Sequence, residues 1–535
     1  MSHRRQHKEV PIVEAHEAAS LIPDGAVVSV SSSSGLACPD ALLEAIGDSF
    51  RGTGRPSGLT SIHPIAAGDM FGIKGIDHIA LDGLLTSVIA GSYPSGPSSM
   101  TPPAIRTMID ENRIQAWNLP SGVIFQMHAA GTARQPGVLT KVGIGTFVDP
   151  RIQGGALNEA TPTDLVGVLT VDGEEWLNYP PLRPDVALIR GTTADSHGNI
   201  TTEHEGSPLG ILEQAFAARS NGGIVIAQVK RIAKAGSLPA QNVQVPGAIV
   251  DAVVVVPDQM QATETLYDPA LSGEIVAPDG MFEPLPFGLE KVLARRAALE
   301  LKPGWIVNLG FGVCAGIPRI FLEENKDGLV TWLTEQGAVG GIPLTGSAFG
   351  CARNPAAVIA SPDQFKFLQS AGFDAACLSF IQVDQHCNVN VSLLPGKSHV
   401  SAGIGGFADI TSAASKIVFA GTFTAGKSSI EAGCGQLRIE ANGPISKIVP
   451  EVDQISFSGS RALQRGQNVI FVTERCVLEL RAEGLVVTEI APGADLVRDI
   501  TDLVEFPLHI AENLRPMDSA LFKDAPLGPN FGSIQ

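Results

Sequence analysis

The feature that most restricts this chain is a repeat. Residues 24–43, DGAVVSVSSSSGLACPDALL, and residues 303–322, PGWIVNLGFGVCAGIPRIFL, follow one plan: turn, apolar strand, small-residue loop, proline, helix. Pro39 aligns with Pro318 without a gap. A second echo pairs ADSHGNIT (194–201) with VDQHCNVN (383–390), sharing Asp-x-His-x-Asn before a β-branched residue. A third pairs GGIVIAQV (222–229) with SKIVFAGT (415–422). A fourth, weaker, pairs VPGAIVDAVVV from Val245 with VPEVDQISF from Val449. Echoes repeated in one order indicate two related halves. The first echo is offset by more residues than the later ones, so the N-terminal half carries extra sequence between its first two echoes.

The 535 residues suit two or three domains rather than one. At 44% hydrophobic and 17% charged, the chain can bury large cores, and its 58 glycines and 37 prolines punctuate apolar segments rather than form low-complexity tracts. GGIVIAQV, RPDVALIRG, AAVIAS and NVIFVTE are short Val/Ile-rich runs that read as buried parallel strands. ALLEAIGDSF, LEQAFAARS and LEKVLARRAALEL carry apolar residues at helical spacing. The expected fold is α/β: two related domains, 1–280 and 281–535, each around a largely parallel sheet. The join is placed in APDGMFEPLPFG (277–288), where periodicity lapses. In such sheets ligands sit at the carboxyl ends of strands, and a cleft between related halves is the natural site.

A net charge of −18 argues against nucleic acid or an anionic membrane as the main partner, but not against an anionic small molecule. Seven scattered cysteines without a C-x-x-C suggest neither disulfides nor a metal site, and fit a reducing cytoplasm. The basic start MSHRRQHKEV is followed by no apolar signal core, and no apolar run reaches membrane-spanning length. A soluble cytoplasmic protein is expected.

Against this background LVTWLTEQGAVGGIP (329–343) stands out. An apolar strand runs into Glu335, then Gly337, Gly340, Gly341 and Pro343. A glutamate in a loop is ordinarily a solvated carboxylate. Here it opens Glu-x-Gly-x-x-Gly-Gly-x-Pro, a pattern expected by chance in roughly one of several hundred such chains. A rival reading is a dinucleotide fingerprint: Gly310-x-Gly312-x-x-x-Gly316 after a strand, with Glu335 as the ribose-binding acid at the end of the next. The equivalent first-half loop, SSSSGLA, lacks those glycines, and the rival gives no role to the glycines after Glu335.

The chain resembles the family I coenzyme A transferases, and among them the single-chain acetate/propionate CoA-transferases. The resemblance covers nearly the whole length. In the second half it rests on NLGFGVCAGIP (308–318), TEQGAVGGIP (334–343), QVDQHCNVNVS (382–392), AGIGGFADIT (402–411), FAGTFTAGK (419–427), KIVPEV (447–452) and EIAPGADLVRDI (489–500). In the first half it rests on NLPSGV, LTKVGIGTFVDPR, LIRGTTADSHGNIT and VIAQVKRI.

The resemblance implies two related α/β halves, acyl-CoA and small carboxylic acids as substrates, and a homo-oligomer. It implies no permanently bound cofactor and no metal; coenzyme A serves as substrate and as part of a covalent intermediate. Glu335 corresponds to the nucleophilic glutamate. Gly403-x-Gly405-Gly406-Phe407 resembles the loop associated with the oxyanion site, where Gly405 is the catalytic candidate, and with CoA, where Gly403 and Gly406 are the candidates. Alone, such a loop would read as a tight turn. Gly310 and Gly312 lie in the segment that runs along CoA, and Lys427 is a candidate for a CoA phosphate or a solvated lysine. The paired His197 and His386 read as structural, and Cys314 as a small packed residue.

Ser121 stands where relatives place a glutamine near the reacting oxygens. Ser370, Ala371 and Gly372 replace a triple glycine, and 90–102 departs from a Gly-His-rich version. These departures point to an altered acyl pocket. Three enzyme readings stay open: a transferase; an acyl-CoA hydrolase in which water intercepts the same glutamyl intermediate; and, disfavoured by the glycine context of Glu335, a dinucleotide-binding oxidoreductase.

Overall fold

The structure, a computed structural model, describes residues 9–94, 101–278, 282–394, 402–528 and 531. The first half builds a seven-stranded sheet in the order Ala252–Val255, Ile224–Val229, Val186–Arg190, Val27–Val30, Leu59–His63, Leu85–Ala90, Gln115–Asn118. Every pairing in it is parallel. The second half repeats the central order with Asn468–Val472, Lys416–Ala420, Ala375–Leu378, Ile306–Leu309 and Thr331–Leu333, again parallel. Strands buried on both faces need continuous apolar runs; Ala252–Val255 and Ala375–Leu378 have them, while Leu59–His63 and Gln115–Asn118, LTSIH and QAWN, interleave polar residues.

The halves differ at their edges. The first extends its sheet with Leu85–Ala90 and Gln115–Asn118, which with the helices Ala104–Asp110 and Ser121–Thr132 account for much of its extra sequence. The second adds antiparallel strands Cys476–Arg481 and Gly484–Ile490, then His509–Pro516, at one edge, and the short Ala338–Val339 and Ala357–Val358 at the other, to make ten. AAVIAS does not form a buried parallel strand. Only Ala357–Val358 pairs, antiparallel to Ala338–Val339, and Ala357 is exposed. Pro355 and the helix Ser361–Leu368 bracket too short a run for more.

The second echo is reproduced bond for bond. Asp195 Oδ1 accepts from the amides of His197 and Asn199, and Oδ2 from Asn199 Nδ2, each at 3.0 Å. Asp384 does the same with His386 and Asn388 at 2.9, 2.9 and 3.0 Å. The fourth echo is out of register. Val245 bridges Ile200, and the residue bridging the equivalent Val389 is Phe457, not Val449. Gly247 and Gly459 confirm this: their amides donate to Asn199 Oδ1 and Asn388 Oδ1. The shared Val-Pro is coincidental, because Val449 pairs with Asp384 as Ala233 pairs with Asp195.

One core spans the halves: Ile62, Trp117, Leu119 and Phe125 pack in the same cluster as Phe365, Phe407 and Phe419. Phe125 and Phe365 approach to 5.9 Å between ring centroids. Among the described residues no helix is long and apolar enough to cross a membrane.

Candidate active site

Glu335 sits in a turn that is over-determined by hydrogen bonds. The strand Thr331–Leu333 ends, and the Gly337 amide donates back to the Thr334 carbonyl at 3.2 Å. Gln364 Nε2 donates to that carbonyl at 3.0 Å, and Thr334 Oγ1 donates to Gly350 O at 3.0 Å. The Gln336 carbonyl accepts from two hydroxyls: Ser361 Oγ at 2.7 Å, and Ser207 Oγ from the first half. Gly337 has φ +128°, and a Cβ there would lie 2.0 Å from Ile359 O, so no other residue fits. The glycines after Glu335 thus shape the turn, and the amides of Gly337 and Gly340 are spent within it.

The carboxylate points at the loop 403–406. Its Oε1 accepts from Gln336 Nε2 at 3.2 Å. Its Oε2 lies where a side chain on Gly406 would begin: a Cβ there would be 2.1 Å away. Burial pushes the Glu335 carboxyl up to about 7, and the charge of Asp409 adds to this; the Gly406 and Gln336 amides oppose it.

The first half holds that loop. Asn118, fully buried, accepts from the Ile404 amide through Oδ1 at 2.8 Å and donates through Nδ2 to Ala90 O and Gly91 O at 3.1 and 2.6 Å. The Gly405 amide donates to Gly91 O at 2.7 Å, and its carbonyl accepts from the Ser121 amide at 2.9 Å. The Gly405 N–H is therefore committed to the inter-half contact, and the amide beside the carboxylate is that of Gly406. Gly403 packs on the Asn118 amide. Ser121 begins the helix Ser121–Thr132; its buried Oγ has no hydrogen-bond partner among the described residues.

The neighbouring strand, Ile306–Leu309, ends in the other predicted loop. The Gly310 amide donates to Cys377 O at 2.9 Å, and Gly312 packs on Ser379. Between them Phe311 is 67% exposed, edge-on to Phe349 at 5.3 Å. Cys314 is buried, its thiol pushed up to about 12 by burial, which leaves it inert at neutral pH. Lys427 is exposed in the turn between Thr424–Ala425 and Ser429–Gly433, and no contact among the described residues ties it to Glu335. His197 and His386 give their amides to the twin aspartate turns, and no group suited to a metal ion occurs among the described residues. Of the segment 90–102, residues 95–100 lie outside the described residues. Ser370 Oγ donates to Phe367 O at 2.7 Å.

The structure thus gathers Glu335, Gly403, Gly405, Gly406 and Ser121 at one inter-half junction. Sequence reasoning missed Asn118, Ser207, Gln369 and Asp409. Asn118 and Asp409 lie inside quoted motifs, but nothing about an Asn or Asp there announces an inter-half bond.

A family model described as Coenzyme A transferase matches residues 12–256. The chain is 40% identical over 530 residues to acetate CoA-transferase YdiF of Escherichia coli O157:H7, covering 98% of this chain and 97% of that protein. It is 40% identical over 517 residues to caffeate CoA-transferase of Acetobacterium woodii, covering 96% and 97%. The crystal structure of the E. coli O157:H7 acyl-CoA transferase YdiF apoenzyme superposes with a TM-score of 0.90 at 38% identity, covering 100% of this chain and 99% of the other. The same protein's thioester complex with CoA gives 0.89 at 38% identity, covering 98% of each.

Proposed function

The chain belongs to the coenzyme A transferase family, as an enzyme that moves CoA between an acyl-CoA and a carboxylic acid, and on that premise we propose that Glu335 carries the transfer covalently. The carboxylate attacks the donor thioester carbonyl, the C–S bond breaks, and CoA leaves as thiolate, giving an acyl–glutamyl anhydride. The thiolate attacks the glutamyl carbonyl and expels the donor's carboxylate, leaving a glutamyl–CoA thioester. The acceptor carboxylate then runs the steps in reverse and restores Glu335. No proton is gained or lost, so no base histidine is needed. Splitting the exchange this way keeps the thioester energy on the enzyme.

The observation that carries the reading is the placement of Glu335: a raised, partly buried carboxylate against the Gly406 amide at the junction of the halves. A more basic carboxylate is a better nucleophile once ionised, and an amide beside it is placed to meet charge developing on an acyl oxygen. The crystallisation of YdiF as a thioester complex with CoA supports the second intermediate. In this reading Gly403, Gly405 and Ser121 build the wall opposite the nucleophile, Gly310 and Gly312 let CoA pass close to the backbone, and Lys427 is available to its phosphates. We place the domain boundary near residue 280, ahead of the helix Leu289–Ala298. A homo-oligomer in the cytoplasm completes the proposal. Acetate and caffeate, named for two relatives at equal identity, differ greatly in size, so the acyl group is assigned to the pocket and not to overall similarity.

Incubation with an acyl-CoA followed by borohydride should reduce the glutamyl thioester and label Glu335 in a peptide map. Labelling elsewhere, or full activity of Glu335→Ala, would sink the mechanism. CoA release without an acceptor would favour hydrolysis through the same glutamate.

A further inference from the structure

Asp409 lies on the short helix Phe407–Thr411, one turn after Gly406, and is fully buried. Its Oδ2 accepts from the Gly122 amide of the first half at 2.9 Å. Its Oδ1 accepts from Gln369 Nε2 at 2.6 Å, and Gln369 Oε1 accepts in turn from Gln126 Nε2 of the first half at 2.6 Å. Both oxygens are thus acceptors, the pattern of an ionised carboxylate. Among the described residues neither Asp409 nor Glu335 has a Lys, Arg or His within ion-pair distance. Two carboxylates share one junction without a counter-ion, although burying an unpaired charge is costly.

We propose that Asp409 is a positioning residue for the transfer: it fixes the Gly406 loop against the first half and sets its own charge beside Glu335 to keep that carboxylate basic and reactive. The proposal rests on Glu335 being the nucleophile. Forming the acyl–glutamyl bond neutralises Glu335 and relieves the repulsion, so Asp409 favours the acylated states over the resting one. The donors that keep Asp409 ionised come partly from the other half, which ties the reactivity of Glu335 to the packing of the halves.

The groups facing the pair come from several elements. Asp409 meets the amides of Gly122 and Val123 and the Gln369 side chain, and its charge reaches the buried Tyr179 hydroxyl. Glu335 meets the Gly406 amide and the Gln336 side chain. Burial raises Asp409 to about 7 against those donors. None of these neighbours is cationic; burial is the largest cause of both rises, and the charge of Asp409 adds to the rise at Glu335 with no cation to offset it.

The test is the pH profile of kcat/KM for the full-length Asp409→Asn enzyme. The asparagine keeps the shape and, with flipped Gln369 and Gln126 amides, the hydrogen bonds. The acid limb should move about one unit toward the ordinary carboxylate range. Gln369→Leu removes one donor, disfavours ionised Asp409, and should move the limb the same way by less. An acid limb that stays put in Asp409→Asn while kcat falls at every pH would reduce Asp409 to a structural role and overturn the proposal. If Asp409→Asn fails to fold, an unmoved limb in Gln369→Leu does the same. Loss of borohydride labelling at Glu335 in the parent enzyme would instead strike the nucleophile assignment, not this inference.

Discussion

In the first half, Val27 of the strand Val27–Val30 pairs with Thr60; in the second, Ile306 pairs with Thr331. Val27 and Ile306 are equivalent in the repeat, so Pro64 stands where Glu335 stands. Beside Pro64, His63 is fully buried, pushed down to about 3 by burial and held neutral. The first half closes this strand end with a proline and a neutral ring, and its extra strands continue past it. The second half opens the same strand end with a carboxylate in a clamped turn. Meanwhile the Asp195 and Asp384 turns match to within 0.1 Å in each hydrogen bond. The repeat preserves scaffold turns and diverges at the carboxyl edge, where one copy holds the proposed nucleophile and the other forms the wall against it.

The largest effect expected from this contrast is at Glu335. Glu335→Gln should cut transfer by about 10³-fold or more and abolish borohydride labelling, with the fold intact. The wild-type acid limb of kcat/KM should lie near 7, because Glu335, as the proposed nucleophile, must be ionised and is raised to about 7. Stability runs the other way. A carboxyl raised on folding holds a proton that the unfolded chain has released, so its favourable contribution is present below its ordinary value and is lost as pH rises through about 7. Glu335 and Asp409 are both raised to about 7. Melting temperature should therefore fall between about pH 4.5 and 7, and Glu335→Gln should melt higher than wild type at pH 8. A melting profile identical in the two proteins would break this part of the contrast.

Next comes the wall. Gly406→Ala would place a methyl 2.1 Å from Glu335 Oε2, forcing the carboxylate or the loop aside. An ångström of misplacement can cost about 10²-fold. We expect that loss in kcat, with a smaller change in melting temperature than in activity. Full activity would mean that the carboxylate works from a different position.

The scaffold should respond symmetrically. Asp195→Ala and Asp384→Ala each strip three hydrogen bonds from within equivalent turns, and a fourth, longer one from the amide of Gly236 or Val452. Each should cost about 1–3 kcal/mol in denaturant unfolding, as expected when buried donors lose their acceptor. Transfer activity per folded molecule should stay near wild type in both. A large activity loss in one alone would assign that turn, and its histidine, to the site.

The symmetric part was legible in the sequence because a turn such as Asp-x-His-x-Asn is local: the bonds that shape it lie within five neighbouring residues. Apolar runs likewise revealed the central strands. Glu335 was legible because its glycine pattern is local too. Ser207, Asn118, Gln369 and Asp409 were not, since each acts on a partner far along the chain. The Ser207 hydroxyl reaches Gln336, and the Asp409 carboxylate reaches Gly122. The misaligned fourth echo has the same cause. Val245 and Phe457 make equivalent bridges to the two turns and are unlike residues.

The smallest effect concerns Ser121, on the wall and not the nucleophile. Its buried hydroxyl is unpartnered, and it packs so closely on Gly91 that a Cβ there would lie 2.3 Å from Oγ. A glutamine at this helix start would carry its amide further toward the junction. It would add bulk and could add a donor for a developing oxyanion. Losing one well-aimed donor costs about 2.7–4 kcal/mol, but gaining one on a side chain that was not built for it recovers only part. Ser121→Gln should therefore raise kcat/KM for acetyl-CoA and lower it for a branched or aromatic acyl-CoA, changing their ratio by about tenfold, the scale of one to two methylenes in a pocket. The measurement is that ratio in both proteins, alongside the Glu335 labelling rate. An unchanged ratio with unchanged labelling would place Ser121 outside the acyl pocket and leave the residues around 90–102 as the source of any difference in specificity from the relatives.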